Sequence, residues 1–256
     1  MTPVPGEMKC LLWNVEWAVT GTARAHSILR EIQASAVDVI CLTETERDFL
    51  PAGHLIEADA DYGYSHPGGR RKVVLWSRQE WSDVDVTGDG SMPGGRFVSG
   101  ITGGIRFVGV CIPWKDAHVR TGRCDRKPWE DHISYCRGLA RVIRRHAGDG
   151  IPICLLGDYN QRIPRASQPP EVSAALMDAI PAGFTVATEG LEDAEGHRLI
   201  DHIATPADMT VRIDHLLPRA CADGIRLTDH TGILATLAPS LSASTAAPLS
   251  NHHSHV

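Results

Sequence analysis

The sequence has no long apolar run, no closely paired cysteines and no surplus of positive charge. No window approaches the roughly 18 uninterrupted apolar residues of a membrane-spanning helix, which excludes helical spans. Seven cysteines stand at 10, 41, 111, 124, 136, 154 and 221 without a CxxC spacing, so neither a zinc framework nor a dithiol redox motif is supported. The net charge is −6. A protein that coats duplex by charge alone is strongly basic, because phosphate neutralisation supplies most non-specific affinity, so a histone-like role is excluded. A locally basic cleft stays compatible with that charge. No internal repeat is present. The opening MTPVPGEMKC lacks a basic segment followed by a long apolar one, so the expectation is no secretory signal and a reduced, cytoplasmic compartment.

What is present is ordinary globular material. Of 256 residues, 43% are hydrophobic and 22% charged, enough for one large core. The body is expected over 8–238. The tail over 239–256 is rich in Ser, Ala, Pro and His, has no apolar period and reads as disordered, with His252, His253 and His255 in solvent. Residues 1–7 are also expected to be loose.

Short apolar runs alternate with helical patterns. The run 8–14 reads as a strand. Ala25, Ile28, Leu29, Ile32 and Ala36 carry a helical period, and 37–43 reads as a second buried strand. That βαβ unit implies a parallel pair. Strands follow at 72–77, 96–102 and 105–112, the last two joined by a Gly103-Gly104 hairpin turn. Trp129, Ile133, Cys136, Ala140 and Ile143 mark a helix, with Trp129 expected in the core. A strand at 151–156, a short helix at 174–180 and strands at 200–204, 209–217 and 232–237 close the body. The fold class is α/β, with two face-packed mixed β-sheets flanked by helices. Cys10, Cys41, Cys111 and Cys154 fall inside strand runs and are expected as small buried hydrophobes.

Polar chemistry concentrates at strand exits, where α/β proteins place their sites. The exits carry Asn14 and Glu16, Glu44, Asp158 and Asn160, Asp201 with His202, and Asp229 with His230. Carboxylates and amides suit Mg²⁺ or Mn²⁺ rather than zinc–thiolate chemistry. Each exit taken singly is also compatible with a turn or a capping residue; the conjunction points to a metal-assisted site. Basic residues cluster further along: nine Lys/Arg against four acids over 115–146, compared with four against ten over 1–69. Lys115, Arg120, Arg123, Arg126 and Lys127 share one loop, which reads either as a solvated segment or as an anion-attracting rim.

Trp13-Asn14, Thr43-Glu44, Gly157-Asp158-Tyr159-Asn160, Ile200-Asp201 and Thr228-Asp229-His230, in that order, resemble the endonuclease/exonuclease/phosphatase superfamily. That group includes exonuclease III-like repair enzymes, deoxyribonuclease I, neutral sphingomyelinases and inositol polyphosphate 5-phosphatases. The resemblance spans about residues 8 to 238. It implies a four-layer α/β sandwich and divalent-metal-dependent cleavage of a phosphoester. By the same resemblance Glu44 is the principal metal carboxylate with Asn14 beside it, Asp229 an additional metal or water-organising position, and Glu16 a further acid near the metal. Asp158 orients or deprotonates the attacking water, Asn160 helps hold it, His230 contacts the phosphate and Asp201 orients His230. Where many members carry Tyr or His to touch phosphate, this chain has Cys111. Either His118 or Arg120 in the following loop then supplies that contact or the contact is absent, with Trp114 and Arg162 as further substrate contacts. Trp114 replaces a small polar residue of the repair-type members, which weighs against abasic-site repair. His202 replaces an aromatic and either nears the cleft or packs against the sheet.

The expectation is a Mg²⁺- or Mn²⁺-dependent phosphodiesterase acting on nucleic acid, DNA or RNA, or on nucleotides. The alternatives are a phosphomonoesterase or lipid-headgroup hydrolase, and a non-catalytic phosphate-binding relative. No apolar anchor is visible, so no stable membrane association is expected.

Overall fold

The computed structural model describes residues 6–239. Most of the expected tail, including its three histidines, lies outside them, as do residues 1–5. Two six-stranded sheets pack face to face. In the first, β1 (Met8–Asn14) runs parallel to β2 (Val39–Glu46) through helix α1 (Ala23–Ser35). In the second, β7 (Ile105–Cys111) runs parallel to β8 (Ile153–Asp158) through α2 (Glu130–Ala147). Around these pairs the remaining strands are antiparallel: β3 (His54–Glu57), β4 (Arg70–Ser77), β11 (Met209–Leu217) and β12 (Gly232–Pro239) in the first sheet. The second sheet takes β5 (Ser82–Asp85), β6 (Phe97–Thr102), β9 (Phe184–Val186) and β10 (Asp201–Pro206). A third helix, α3 (Pro170–Ala179), packs beside α2.

Side-chain alternation sorts the core into three layers. Along β1, Cys10 and Leu12 point between the sheets, where they meet Val73, Leu75, Phe107, Cys154 and Leu156. Leu11 and Trp13 point outward and join Ile28, Ile40 and Leu42 under α1. On the other flank Val108 and Val110 join Tyr135, Leu139 and Ile143 under α2. The result is the expected four-layer sandwich. Local chemistry fits the two longer helices: Thr22 caps α1 by accepting from the Ala25 N–H, and α2 has Glu130 and Asp131 in its first turn and Arg144, Arg145 and His146 in its last, each sign opposing the local helix dipole. Among the described residues no helix is long and apolar enough to cross a membrane.

Sequence reasoning missed β3, β5 and β9. All three are sheet-edge strands of three or four residues, too short and too solvated to carry a period-2 signal. Trp129 is also corrected. It is half-buried at the N-terminus of α2, edge-on to His132, instead of in the core.

Candidate active site

The two parallel pairs bring their strand exits to one edge of the sandwich. Register aligns Asn14 with Thr43 across β1 and β2, and Asp158 with Asp201 across β8 and β10. The chain enters β12 just after His230, and the Trp13 indole N–H donates to the His230 carbonyl at 3.1 Å, fastening that loop to β1. Thr228 Oγ1 donates to the Asn14 carbonyl at 2.8 Å from the same loop. Gly157 is fixed by crowding: a Cβ there would lie 1.9 Å from the Val110 carbonyl oxygen, at φ 150°. Only glycine lets β8 deliver Asp158 this close to β7.

Asp158 is buried among amides. Its Oδ2 accepts from Asn14 Nδ2 at 3.1 Å and from Asn160 Nδ2 at 3.0 Å, and its Oδ1 accepts from the Asn160 backbone N–H at 2.9 Å. The Asn160 amide also donates to the Ile112 carbonyl. Burial, then the negative charge of Asp201, push the Asp158 carboxyl up to about 7, against the pull of His230. Across the cleft, His230 Nδ1 lies 2.5 Å from Asp201 Oδ2. Burial disfavours the imidazolium, but Asp201 by charge and hydrogen bond, with Asp158 and Asp229 adding, lifts His230 to about 10. This pair therefore carries a positive imidazolium at neutral pH.

Glu44 sits at φ 51°, a left-handed conformation that costs a residue with a side chain roughly 1–3 kcal/mol and collects at functional sites. Its carbonyl accepts from the Trp17 N–H at 2.7 Å, and its Oε1 meets Lys72 Nζ at 2.6 Å. The pairs Thr43–Val73 and Thr45–Arg71 place Lys72 opposite Glu44 on β4. Sequence reasoning missed Lys72. Its only signal was a cation at the head of the apolar run KVVLWS.

The donor set fits a hard divalent cation. Asp158 and Asp201 bring carboxylate oxygens within 4.8 Å of each other and of His230, whose cationic ring is itself no ligand. Asp201 Oδ1 is buried with no hydrogen-bond partner among the described residues. Asp229 stands at the rim, Oδ1 3.7 Å from His230 Nε2. The Glu16 carboxylate pairs with Arg24 and Arg226, while its backbone N–H donates to Asn14 Oδ1 at 2.9 Å.

The expected substrate contacts divide. Arg162 borders a 470 Å³ pocket with Lys115, Trp129, Asn160 and Ile200 at the catalytic edge. Trp114, 45% exposed, borders a different pocket, and Arg120 is exposed on its loop. His118 is fully buried, its Nδ1 2.6 Å from Asp131 Oδ2, so the expected phosphate contact is corrected. Arg123 and Arg126 brace the same Asp131 instead of converging on a phosphate. Cys111 lies in the inter-sheet core; burial pushes its thiol up to about 12, and it offers no phosphate donor. His202 packs behind the site, accepting from Thr188 Oγ1 and donating to the Gln161 carbonyl.

A two-sheet sandwich with an acid, amide and imidazole cluster at the strand exits is the architecture of a metal-dependent phosphoesterase. The chain belongs to the endonuclease/exonuclease/phosphatase family, whose model matches residues 11–230. No curated protein matches its sequence. Among solved structures it is similar to a 3′ phosphatase, NExo, from Neisseria bound to product DNA hairpin, at 19% identity and TM-score 0.63, covering 89% of this chain and 98% of that one. It is similar to an AP endonuclease from Archaeoglobus fulgidus at 17% identity and TM-score 0.60, covering 89% and 98%. It is also similar to a humanized TDP2 from D. rerio at 14% identity and TM-score 0.63, covering 90% and 98%.

Proposed function

We propose that this protein hydrolyses phosphodiester bonds of nucleic acid or nucleotides by attack of a water activated at Asp158. The observation that carries the reading is the meeting of Asp158, Asp201 and His230 at one sheet edge, with Asn14 and Asn160 holding Asp158. A phosphodiester is anionic and repels a hydroxide nucleophile. His230, held cationic by Asp201, neutralises a non-bridging oxygen as charge builds there. Asp158, with its proton affinity raised to about 7, is suited to take a proton from water near neutral pH. Glu44, Asn14 and Asp229 would hold Mg²⁺ or Mn²⁺, which when bound supplies charge neutralisation at the phosphate and the leaving oxygen. Support for a nucleic-acid substrate comes from the similar Neisseria phosphatase bound to a DNA product.

The test is nicking of supercoiled plasmid and cleavage of oligonucleotides in Mg²⁺ or Mn²⁺ by the wild-type chain and Asp158→Asn. Cleavage by wild type alone, abolished by EDTA, supports the reading. Hydrolysis of phosphomonoesters or lipid headgroups with no cleavage of DNA, RNA or dinucleotides overturns it.

A further inference from the structure

Beside Glu44, bordered by its partner Lys72, lies a 250 Å³ pocket that the reaction above leaves unused. Trp17, Tyr62, Tyr64, His66 and Trp114 line it, with Arg70 and Lys72. Its volume is below the roughly 300–1,000 Å³ of sites that enclose drug-sized ligands, and suits a single heterocycle. Two rings stack on Tyr62, Trp17 at 5.9 Å and His66 at 4.4 Å between centroids. Tyr64 and His66 are half-buried and Trp114 is exposed, so aromatic surface remains for a ligand.

The pocket is charged and joined to the candidate catalytic edge. Lys72 Nζ lies 4.9 Å from the Trp17 ring centre and 5.4 Å from that of Tyr62 while it pairs with Glu44. Arg70 lies 5.0 Å from the Trp17 ring centre. An aromatic cage without cations would invite a quaternary ammonium such as choline. Here two cations already occupy that role and would repel another. A planar ring that carries its own negative charge is what remains favoured, and a nucleotide is that combination: base on the rings, phosphate on the cations.

The walls are fixed before any ligand arrives. Tyr64 belongs to the β3–β4 loop, and its ring stacks on His118 of the β7–α2 loop at 4.5 Å. The His118 N–H donates to the Tyr64 hydroxyl at 2.9 Å. His118 is anchored in turn on Asp131, which Arg123 and Arg126 hold. Rigid, pre-stacked rings lower the ordering cost of binding.

We propose that this pocket is a stacking subsite for one unpaired nucleobase of the strand whose phosphate is cleaved, and that it directs the enzyme to single-stranded or frayed substrate. The proposal rests on the phosphodiesterase reading, which it deepens. The test measures binding of short single-stranded deoxyoligonucleotides to Asp158→Asn by quenching of intrinsic tryptophan fluorescence. It uses a series in which each nucleotide in turn is replaced by a base-less tetrahydrofuran. One position is expected at which loss of the base weakens binding about 5- to 150-fold. The double substitution Trp114→Ala with His66→Ala, made on residues not fully buried, should erase that discrimination while binding of the base-less strand holds. Equal binding at every position overturns the proposal, as does a double variant that weakens both strands alike. Cleavage of base-less and intact strands at equal rates overturns the subsite and leaves the phosphodiesterase standing. Base-dependent binding with no cleavage in any metal supports the subsite and refutes the reaction.

Discussion

Lys72 and Glu44 face each other across β2 and β4, with Nζ 2.6 Å from Oε1. Both are largely removed from solvent, so the pairing is stronger than a surface ion pair, and it puts an ammonium where a divalent cation would be drawn to the carboxylate. Lys72→Gln should therefore tighten Mn²⁺ binding roughly tenfold, read by calorimetric titration. Glu44→Gln should weaken it. Unchanged affinity in both variants would remove Glu44 from the metal site.

The Asp201–His230 pair and Asp158 make a second prediction. His230→Ala removes the cation opposite the phosphate, and Asp158→Asn removes the base. Each should lower kcat by about 10²–10⁴-fold with native circular dichroism. Asp201→Asn should act through His230, lowering kcat while KM changes little. Full activity in folded Asp158→Asn and His230→Ala would falsify the assignment of this edge as the active site.

The layered fold was legible because its central strands are buried runs with clear boundaries, and their exits named the polar residues that meet at the edge. Pairing register was not legible. It decides that Lys72 opposes Glu44, and no period-2 reading of KVVLWS reveals a partner 28 residues away. Glu16 read as a site acid through its place in the family pattern; the chain turns there at φ 45°, and its carboxylate lies on Arg24 and Arg226. The aromatic pocket was invisible for the same reason. Trp17, Tyr62 and Trp114 are far apart in sequence, and only the packing of three loops joins them.

The core placement of Cys111 yields a chemical prediction. A thiol pushed up to about 12 by burial is inert to alkylation at neutral pH. Cys124 is exposed and Cys221 partly so, while the other five are buried. Disulfide-exchange labelling should modify Cys124 first, Cys221 more slowly and the rest only on unfolding. Cys111→Ala should cost about 1–2 kcal/mol of stability through its small cavity, seen in urea denaturation, and leave kcat unchanged. A Cys111→Ala variant that is fully stable but inactive would return that residue to the site.

His132 predicts how the fold fails in acid. Its ring is buried between the β7 exit and the β8 exit loop: Nδ1 donates to the Pro113 carbonyl at 2.7 Å and Nε2 accepts from the Gln161 amide at 2.6 Å. Both nitrogens are committed to the neutral form, and burial pulls the imidazole down from 6.5 to about 4. The unfolded chain therefore binds the proton first as pH falls. Stability contributed by neutral His132 is complete above about pH 6.5 and drains away toward pH 4, by up to about 3 kcal/mol. Because Gln161 directly follows Asn160 in the same loop, loosening there should reach the candidate site before global unfolding. Urea midpoints measured at half-unit steps from pH 7 to 4 should fall steeply in the wild type. His132→Gln keeps a donor for Pro113 and cannot take up the proton, so its curve should be lower at pH 7 and flatter below 6.5. Parallel curves for the two proteins would show that His132 protonation is not what destabilises the fold in acid.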